Sequence, residues 1–285
     1  MVQLLDSDIR TREVLSWKGV HVLHFAGSSC SQKLRIFLNL KGIPWHSHPI
    51  NLPANENFQP WFLGINPRGL VPVLVHDGVV HIESNDIIQY LEQRFPTPRL
   101  IPSGHDNEVA GLLKHEDDLH LDLRTLSFRF VFAEPGPPKS AAALQSYAAN
   151  GADTVQGVTD REKQAQIAFW QRAAQEGFPD DRVRASAAKF RIEFEALDKT
   201  LAQQPYLMGK DLSVVDIAWL IYEQRLSLAG YPFARLHPHV YAWAEKLRAM
   251  PAFANEIGQL RHSPEHFDTI SRAQDGKTLE AVAGF

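Results

Sequence analysis

The 285-residue chain has one cysteine, Cys30, so no disulfide can form within it, and a reducing compartment suits it. It has no long apolar run. The longest, near residues 217–222, is far short of the roughly 20 residues that a membrane-spanning helix needs. Residues 1–17 lack an apolar core of signal-peptide length, and the chain reads as soluble and cytoplasmic. A strongly basic block is missing as well: 29 Lys+Arg against 33 Asp+Glu leave a net charge of −4, which argues against nucleic acid as the main partner. Thirteen histidines are present, but none falls in an HExxH or related spacing, so no metal site is expected. His115 and His120 are five apart and do not share a helix face, whereas His46 and His48 could share one strand face. No repeat or low-complexity segment occurs. What remains is an ordinary globular composition, 44% hydrophobic and 22% charged, in a chain long enough to favour two domains.

The stretch around which the rest is organised is VHVLHFAGSSCSQKLRIFLNLKG, residues 20–42. Val20, Val22, Leu23 and Phe25 suit a half-buried strand. From Lys33 on, Leu34, Phe37, Leu38, Leu40 and Ile43 mark the buried face of a helix of about three turns. Lys33, Arg35 and Lys41 fall between these positions, and Gly42 is a good stop. Ser28, Ser29, Cys30 and Ser31 therefore lie at a strand-to-helix junction. Helix-start amides have no partner within the helix, and the helix dipole there favours an anion, such as a thiolate on Cys30 or on a ligand.

Residues 1–18 are polar with scattered apolar positions, and pattern alone does not decide whether they pack. Residues 44–49 read as a short strand, and a short helix is expected around residues 57–63. VPVLV is a buried strand, Asp77-Gly78 a two-residue hairpin turn and VVHIE the return strand. Ser84 can cap a helix reaching Arg94. This β-α-β, α, β-β-α order is that of a thioredoxin-like α/β domain, placed at residues 19–96. The proline-rich stretch before residue 103 marks a linker, 97–106. Beyond it strand signals almost vanish. Helices are expected over 108–125, 141–149, 160–175, 179–201, 213–228 and 238–250, with a loop over 134–140 and a turn-rich break over 151–160. An all-α domain over 107–261 and a tail over 262–285 follow.

Four features stand out. Ser28-Ser29-Cys30-Ser31 opens the first helix, where a serine is equally suited to simple capping. Val71-Pro72 precedes a buried strand, where a proline can merely mark the strand start. Glu83-Ser84 ends a strand and starts a helix, again a capping position. Ser213 and Asp216 form an S-x-x-D capping box, which supports a helix and no chemistry.

In order, SSCSQKLR, NPRGLVPVL, ESNDIIQYLE and YLMGKDLSVVDIAW resemble the glutathione transferase superfamily over residues 20–257. The SSCS motif and YLEQRFPTPRLIP are similar to zeta-class members, and AFWQRAAQEGFPDD is similar to bacterial β-etherase-type transferases. The resemblance implies that glutathione is the co-substrate, with Ser28 or Cys30 as the catalytic group. It implies glutathione contacts at Ser29, Asn57, Leu70, Val71, Pro72, Glu83 and Ser84. Val71, ahead of a cis-proline, would pair with the cysteinyl backbone; Ser84 would hold the γ-glutamyl carboxylate and Glu83 its ammonium. Zeta members usually carry Gln where Glu83 stands. The hydrophobic second substrate would meet Leu119, Leu123, Leu126, Phe130, Trp170, Trp219 and Tyr222, although a helical domain needs such residues for its core anyway. The acidic run at residues 116–118 reads as a solvated helix face; by resemblance, Asp118 would approach glutathione across a homodimer. Residues 132–179 form a stretch that zeta members lack. The main expectation is transfer of glutathione to a hydrophobic electrophile. The alternatives are a thiol reductase or glutathione lyase using Cys30, a maleylacetoacetate isomerase-like enzyme, and a non-catalytic scaffold.

Overall fold

The computed structural model describes residues 2–132, 138–152, 154–257, 268, 272, 274 and 276–285. One sheet is built from β1 (Val2–Gln3), β2 (Val20–His24), β3 (His46–Pro49), β4 (Val73–His76) and β5 (Val79–Ile82), in the order β1-β5-β4-β2-β3. Only β2 and β3 are parallel, and the chain between them forms α1 (Ser29–Lys41). After α2 (Pro60–Leu63), β4 and β5 meet at a tight turn in which Asp77 and Gly78 have φ of 50° and 82°, the backbone a two-residue hairpin demands. α3 (Ser84–Arg94) then packs against α1.

Strand alternation divides the core. Leu23, Val73, Val75, Val80 and Ile82 face one cluster with Leu4, Ile9, Val14, Phe62 and Ile65. On the opposite face Val22 pairs with Leu74, Leu74 pairs with His81, and Tyr90 of α3 stacks on the His81 ring at 3.9 Å. The N-terminal segment thus supplies both an edge strand, with Val2 opposite Ile82, and core side chains.

α1 starts at Ser29, because Ser28 caps it, and ends at Gly42 in the left-handed region. Lys33, Arg35 and Lys41 are buried, not solvated. Lys41 reaches Glu92 on α3 at 2.7 Å and the Pro98 carbonyl, which explains how its charge is held inside. Ser84 is the first residue of α3 and not its cap; Glu83, at φ 67°, holds the cap position without a side-chain capping bond.

Two compact units emerge from backbone packing, and their boundary differs from the expected one. The first takes its residues from Met1–Pro98 and Pro137–Gln175, the second from Arg99–Gly136 and Glu176–Phe285. Hence α6 (Ala141–Ala149), a small hairpin of β6 (Thr154–Val155) and β7 (Val158–Thr159), and most of α7 (Glu162–Glu176) group with the sheet, not with the helical domain to which the sequence assigned them. The expected break over 151–160 contains this hairpin, turning at Gln156 and Gly157. Side chains explain the grouping. Tyr147 stacks on Phe58 at 4.2 Å, Lys139 donates to the Leu52 carbonyl at 2.8 Å, and Val155 joins the sheet's core.

The second unit is helical: α4 (Asp106–Asp118), α5 (His120–Phe130), α8 (Asp180–Leu201), α9 (Val214–Leu228), α10 (Phe233–Leu236), α11 (Pro238–Arg248), α12 (Pro251–Ile257) and a last turn, Leu279–Ala283. The single helix expected over 108–125 is two, interrupted at Leu119, which has φ −92° and ψ 0°. α9 is the central helix, buried on nearly every side, and its capping box is reciprocal as expected, with Asp216 accepting from the Ser213 amide at 2.9 Å. Residues 134–137 of the expected loop and most of the expected tail lie outside the described residues.

Candidate functional site

Strand register gathers the candidate residues. Leu23 lies opposite Val73, Leu74 opposite His81, and His24 beside Pro49. The chain leaving β2 at residue 25, entering β4 at residue 72, leaving β5 at residue 83 and leaving β3 at residue 50 therefore meets at one end of the sheet, within the first unit.

At that end Ser28 is the N-cap of α1. Its Oγ accepts from the Ser31 amide at 3.3 Å and its carbonyl from the Gln32 amide at 2.9 Å. Ser28, Ser29 and Cys30 are all half-buried. The loop is braced from behind by Arg35, which donates to the carbonyls of Phe25 and Ala26, both at 3.1 Å. Arg35 also lies 3.2 Å from Nδ1 of His24. Arginine can only donate, so Nδ1 accepts, and the His24 proton sits on Nε2 and is shared with Ser47 Oγ at 2.7 Å. Burial first, then the charge of Arg35 and the neighbouring His48, depress the His24 pKa to about 4, so the ring is neutral. A buried cation and a helix start thus back the same short loop.

The Val71–Pro72 bond is cis. The strand entering it is fixed by two asparagines: Asn57 donates to the Gly69 carbonyl at 2.7 Å and Asn66 to the Leu70 carbonyl at 2.8 Å. The Asn57 Oδ1 is buried and has no partner among the described residues. Glu83 accepts from Arg68 at 2.5 Å, and the same guanidinium is gripped by Asp160. Burial works against the Arg68 charge, but the bonds to Asp160 and Glu83 outweigh it and push its pKa up. Ser84 is buried beside Glu83.

Sequence reasoning missed Arg35, Arg68, Tyr147 and Asp160. Arg68 sits inside NPRG, between the proline and the glycine of a loop, and that context was a usable signal. Asp160 had none, since its partner is 92 positions away.

The seven residues expected to meet the second substrate are all buried. Trp170 lies on α7, in the first unit, and stacks edge-on with Phe169; the other six lie in the second. There, Trp219 packs on Phe194 and Tyr222 on Phe190, within the aromatic core. Asp118 is exposed and paired with Lys114 at 2.6 Å, while Glu116, expected in solvent, is buried. His46 and His48 do share a face of β3, with His21 stacked on His46 at 4.4 Å. A cleft of about 380 Å³ lined by His48, Ile50, Gln59 and Trp61 holds none of the expected site residues.

The N-terminal domain of glutathione S-transferase matches residues 27–94 and its C-terminal domain residues 169–251, with 95–168 unmatched between them. A zeta-class glutathione S-transferase from Euphorbia esula is 46% identical over 76 residues, 27% of this chain and 34% of that protein. The chain thus spans about a third of the length of the first curated relatives it matches. Protein LigF of Sphingobium sp. strain SYK-6 is 26% identical over 227 residues, 74% of this chain and 82% of that protein. The crystal structure of that strain's beta-etherase LigF superposes with a TM-score of 0.70 at 25% identity, covering 84% of this chain and 99% of LigF. With both domains matched in order on a thioredoxin-like unit followed by a helical one, the chain belongs to the glutathione S-transferase family.

Proposed function

We propose that this chain is a glutathione transferase that holds the glutathione sulfur as a thiolate at the start of α1 and directs it at a hydrophobic electrophile. One observation carries the reading. Ser28 Oγ already accepts from the Ser31 amide, so its own proton is left to donate to a sulfur anion. A free thiol has a pKa of about 8.5, and one donor backed by the helix start shifts it toward the thiolate. Val71 offers its backbone ahead of the cis-proline, Asn57 holds the Gly69 carbonyl just before it, and Glu83 with Ser84 offers the two polar ends for a γ-glutamyl group.

For the second substrate, kinship with a beta-etherase favours an ether. The thiolate sulfur bonds to carbon, the carbon–oxygen bond breaks, and the oxygen leaves with a proton from solvent. A homodimer and a cytoplasmic location are part of the proposal; among the described residues no helix is long and apolar enough to cross a membrane.

A second reading makes Cys30 the nucleophile of a thiol reductase or lyase, favoured by its place in the first turn of α1. Paired variants separate the two. Under the first, Ser28→Ala lowers conjugation about a hundredfold and Cys30→Ser retains most of it; the reverse pattern makes Cys30 the nucleophile. Calorimetry showing no glutathione uptake by the wild type would end both readings.

A further inference from the structure

Two carboxylates distant in sequence hold the Arg68 side chain. Its Nε and Nη2 donate to the two oxygens of Asp160 at 2.8 and 2.9 Å, a fork-on-fork pair, and its Nη1 donates to Glu83 at 2.5 Å. The arrangement is graded in depth. The Asp160 and Arg68 side chains are 13% and 16% exposed, and Glu83 is 32% exposed, so Glu83 is the open end. The Arg68 backbone is fixed too: its amide donates to Asn66 Oδ1 at 3.0 Å and its carbonyl accepts from the Tyr147 hydroxyl. Asp160 follows β7 and Tyr147 lies on α6, both in the stretch that the sequence alone assigned to the helical domain.

Within this trio, one guanidinium between two carboxylates leaves one net negative charge, and Glu83 is its open end. We propose that Asp160 and Arg68 are positioning residues for glutathione: Asp160 engages one edge of the guanidinium, so Glu83 keeps its attraction for the γ-glutamyl ammonium. This rests on the proposed function above. Without Asp160, Arg68 has Glu83 as its remaining carboxylate, the pair is neutral, and an incoming ammonium must compete with the guanidinium. The segment from α6 to α7 is then a working part of the glutathione site, contributed in cis.

The test measures binding by calorimetry on the full chain with two ligands, glutathione and N-acetylglutathione, which lacks the ammonium. Asp160→Asn is expected to weaken glutathione about tenfold, the effect of removing one charge-assisted partner, and to leave N-acetylglutathione within about twofold of wild type. Glu83→Gln is expected to weaken glutathione similarly. The double variant is expected to stay within about twofold of Glu83→Gln, because Asp160 acts through that residue. Should Asp160→Asn melt below the assay temperature, Asp160→Glu carries the test: it keeps the charge, and an affinity within about threefold of wild type is expected, a larger loss overturning the proposal. Equal weakening of both ligands, full multiplication of the two single effects, or no effect of Asp160→Asn on glutathione overturns it as well. Wild type binding glutathione with Asp160 indifferent sinks this proposal alone; wild type binding none sinks the transferase reading with it.

Discussion

The buried guanidinium of Arg35 donates to the carbonyl oxygen of Phe25 at 3.1 Å, one residue beyond the end of β2. The same side chain takes the Ala26 carbonyl, so two of the three residues between β2 and Ser28 are tied to one rigid fork. Replacing Arg35 by Gln leaves at least one of these carbonyls without its donor and removes a positive charge from behind the helix start. Each lost buried partner costs roughly 1–3 kcal/mol, so the melting temperature should fall. The informative readout is the thiol of bound glutathione, titrated by thiolate absorbance. Its pKa should rise, and Arg35→Lys, which keeps the charge but loses the fork, should restore the pKa more than the stability. Equal melting loss in both variants with an unmoved thiol pKa would reduce Arg35 to a structural role.

His81 is fully buried, and neither ring nitrogen has a hydrogen-bond partner among the described residues. Burial, followed by the nearby His76, depresses its pKa to about 4. The unfolded chain takes up a proton near pH 6.5 and the folded chain does not until about pH 4. Stability is therefore complete above pH 6.5 and falls as pH drops toward 4, with His24 adding in the same direction. His81→Leu removes two unsatisfied nitrogens and gives up the stack on Tyr90. The first gain, about 1–3 kcal/mol, exceeds the second loss of about 0.5–1.5 kcal/mol, so the variant should melt higher. Its melting temperature should also fall less steeply between pH 6.5 and 4, which thermal denaturation across that range would check.

A sequence discloses local chemistry and hides distant partners. Hairpin, strands and α1 were legible because periodicity and turn chemistry are local: Asp77-Gly78 needs no distant partner to adopt a left-handed turn. Ser28, Val71 and Glu83 were nominated by motif order, and register gathers the chain segments that carry them at one end of the sheet, with Asn57 tied in through the Gly69 carbonyl. Buried charges were not. Lys33, Arg35 and Lys41 read as a polar helix face, yet Lys41 meets Glu92 and Arg35 meets two carbonyls, and only the fold supplies those partners. The stretch from Lys139 to Lys163 misled for the same reason. No local signal shows that Tyr147, Val155 and Asp160 are matched to Phe58, the sheet core and Arg68.

Gly69 has φ +64°, and a Cβ added there would lie 2.9 Å from the Tyr147 ring and 3.2 Å from Leu63. Its carbonyl is the acceptor for Asn57. Gly69→Ala therefore meets backbone strain and a ring that is itself stacked on Phe58. The expected cost is about 2 kcal/mol or more, with glutathione affinity falling because Leu70 and Val71 shift. Adding Tyr147→Leu frees the space beside residue 69 and leaves the φ penalty. The double variant should thus recover part of the destabilisation added by Gly69→Ala, measured by urea denaturation against Tyr147→Leu alone. Full additivity would show that the ring is not what constrains Gly69.

In the helical unit, Glu223 is fully buried on α9 and accepts from Arg248 of α11 and from Ser227 at 2.8 Å. Burial, the largest influence, pushes its carboxyl up from the usual range, and Arg248 pulls against that shift. Arg248→Met removes the opposing charge and leaves a buried carboxylate, at a cost of about 3–5 kcal/mol near neutral pH. A carboxyl whose folded pKa is raised contributes stability below its unfolded value near 4.5 and loses it as pH rises. The deficit of Arg248→Met relative to wild type should therefore shrink as pH is lowered toward 4.5, because Glu223 is then protonated. Glu223→Leu combined with Arg248→Met should recover most of the loss at pH 7, since both partners become apolar and nothing buried is left unpaired. A deficit that stays constant with pH, or a double variant no better than Arg248→Met, would mean that Arg248 stabilises α11 through its exposed partner Glu245 and not through Glu223.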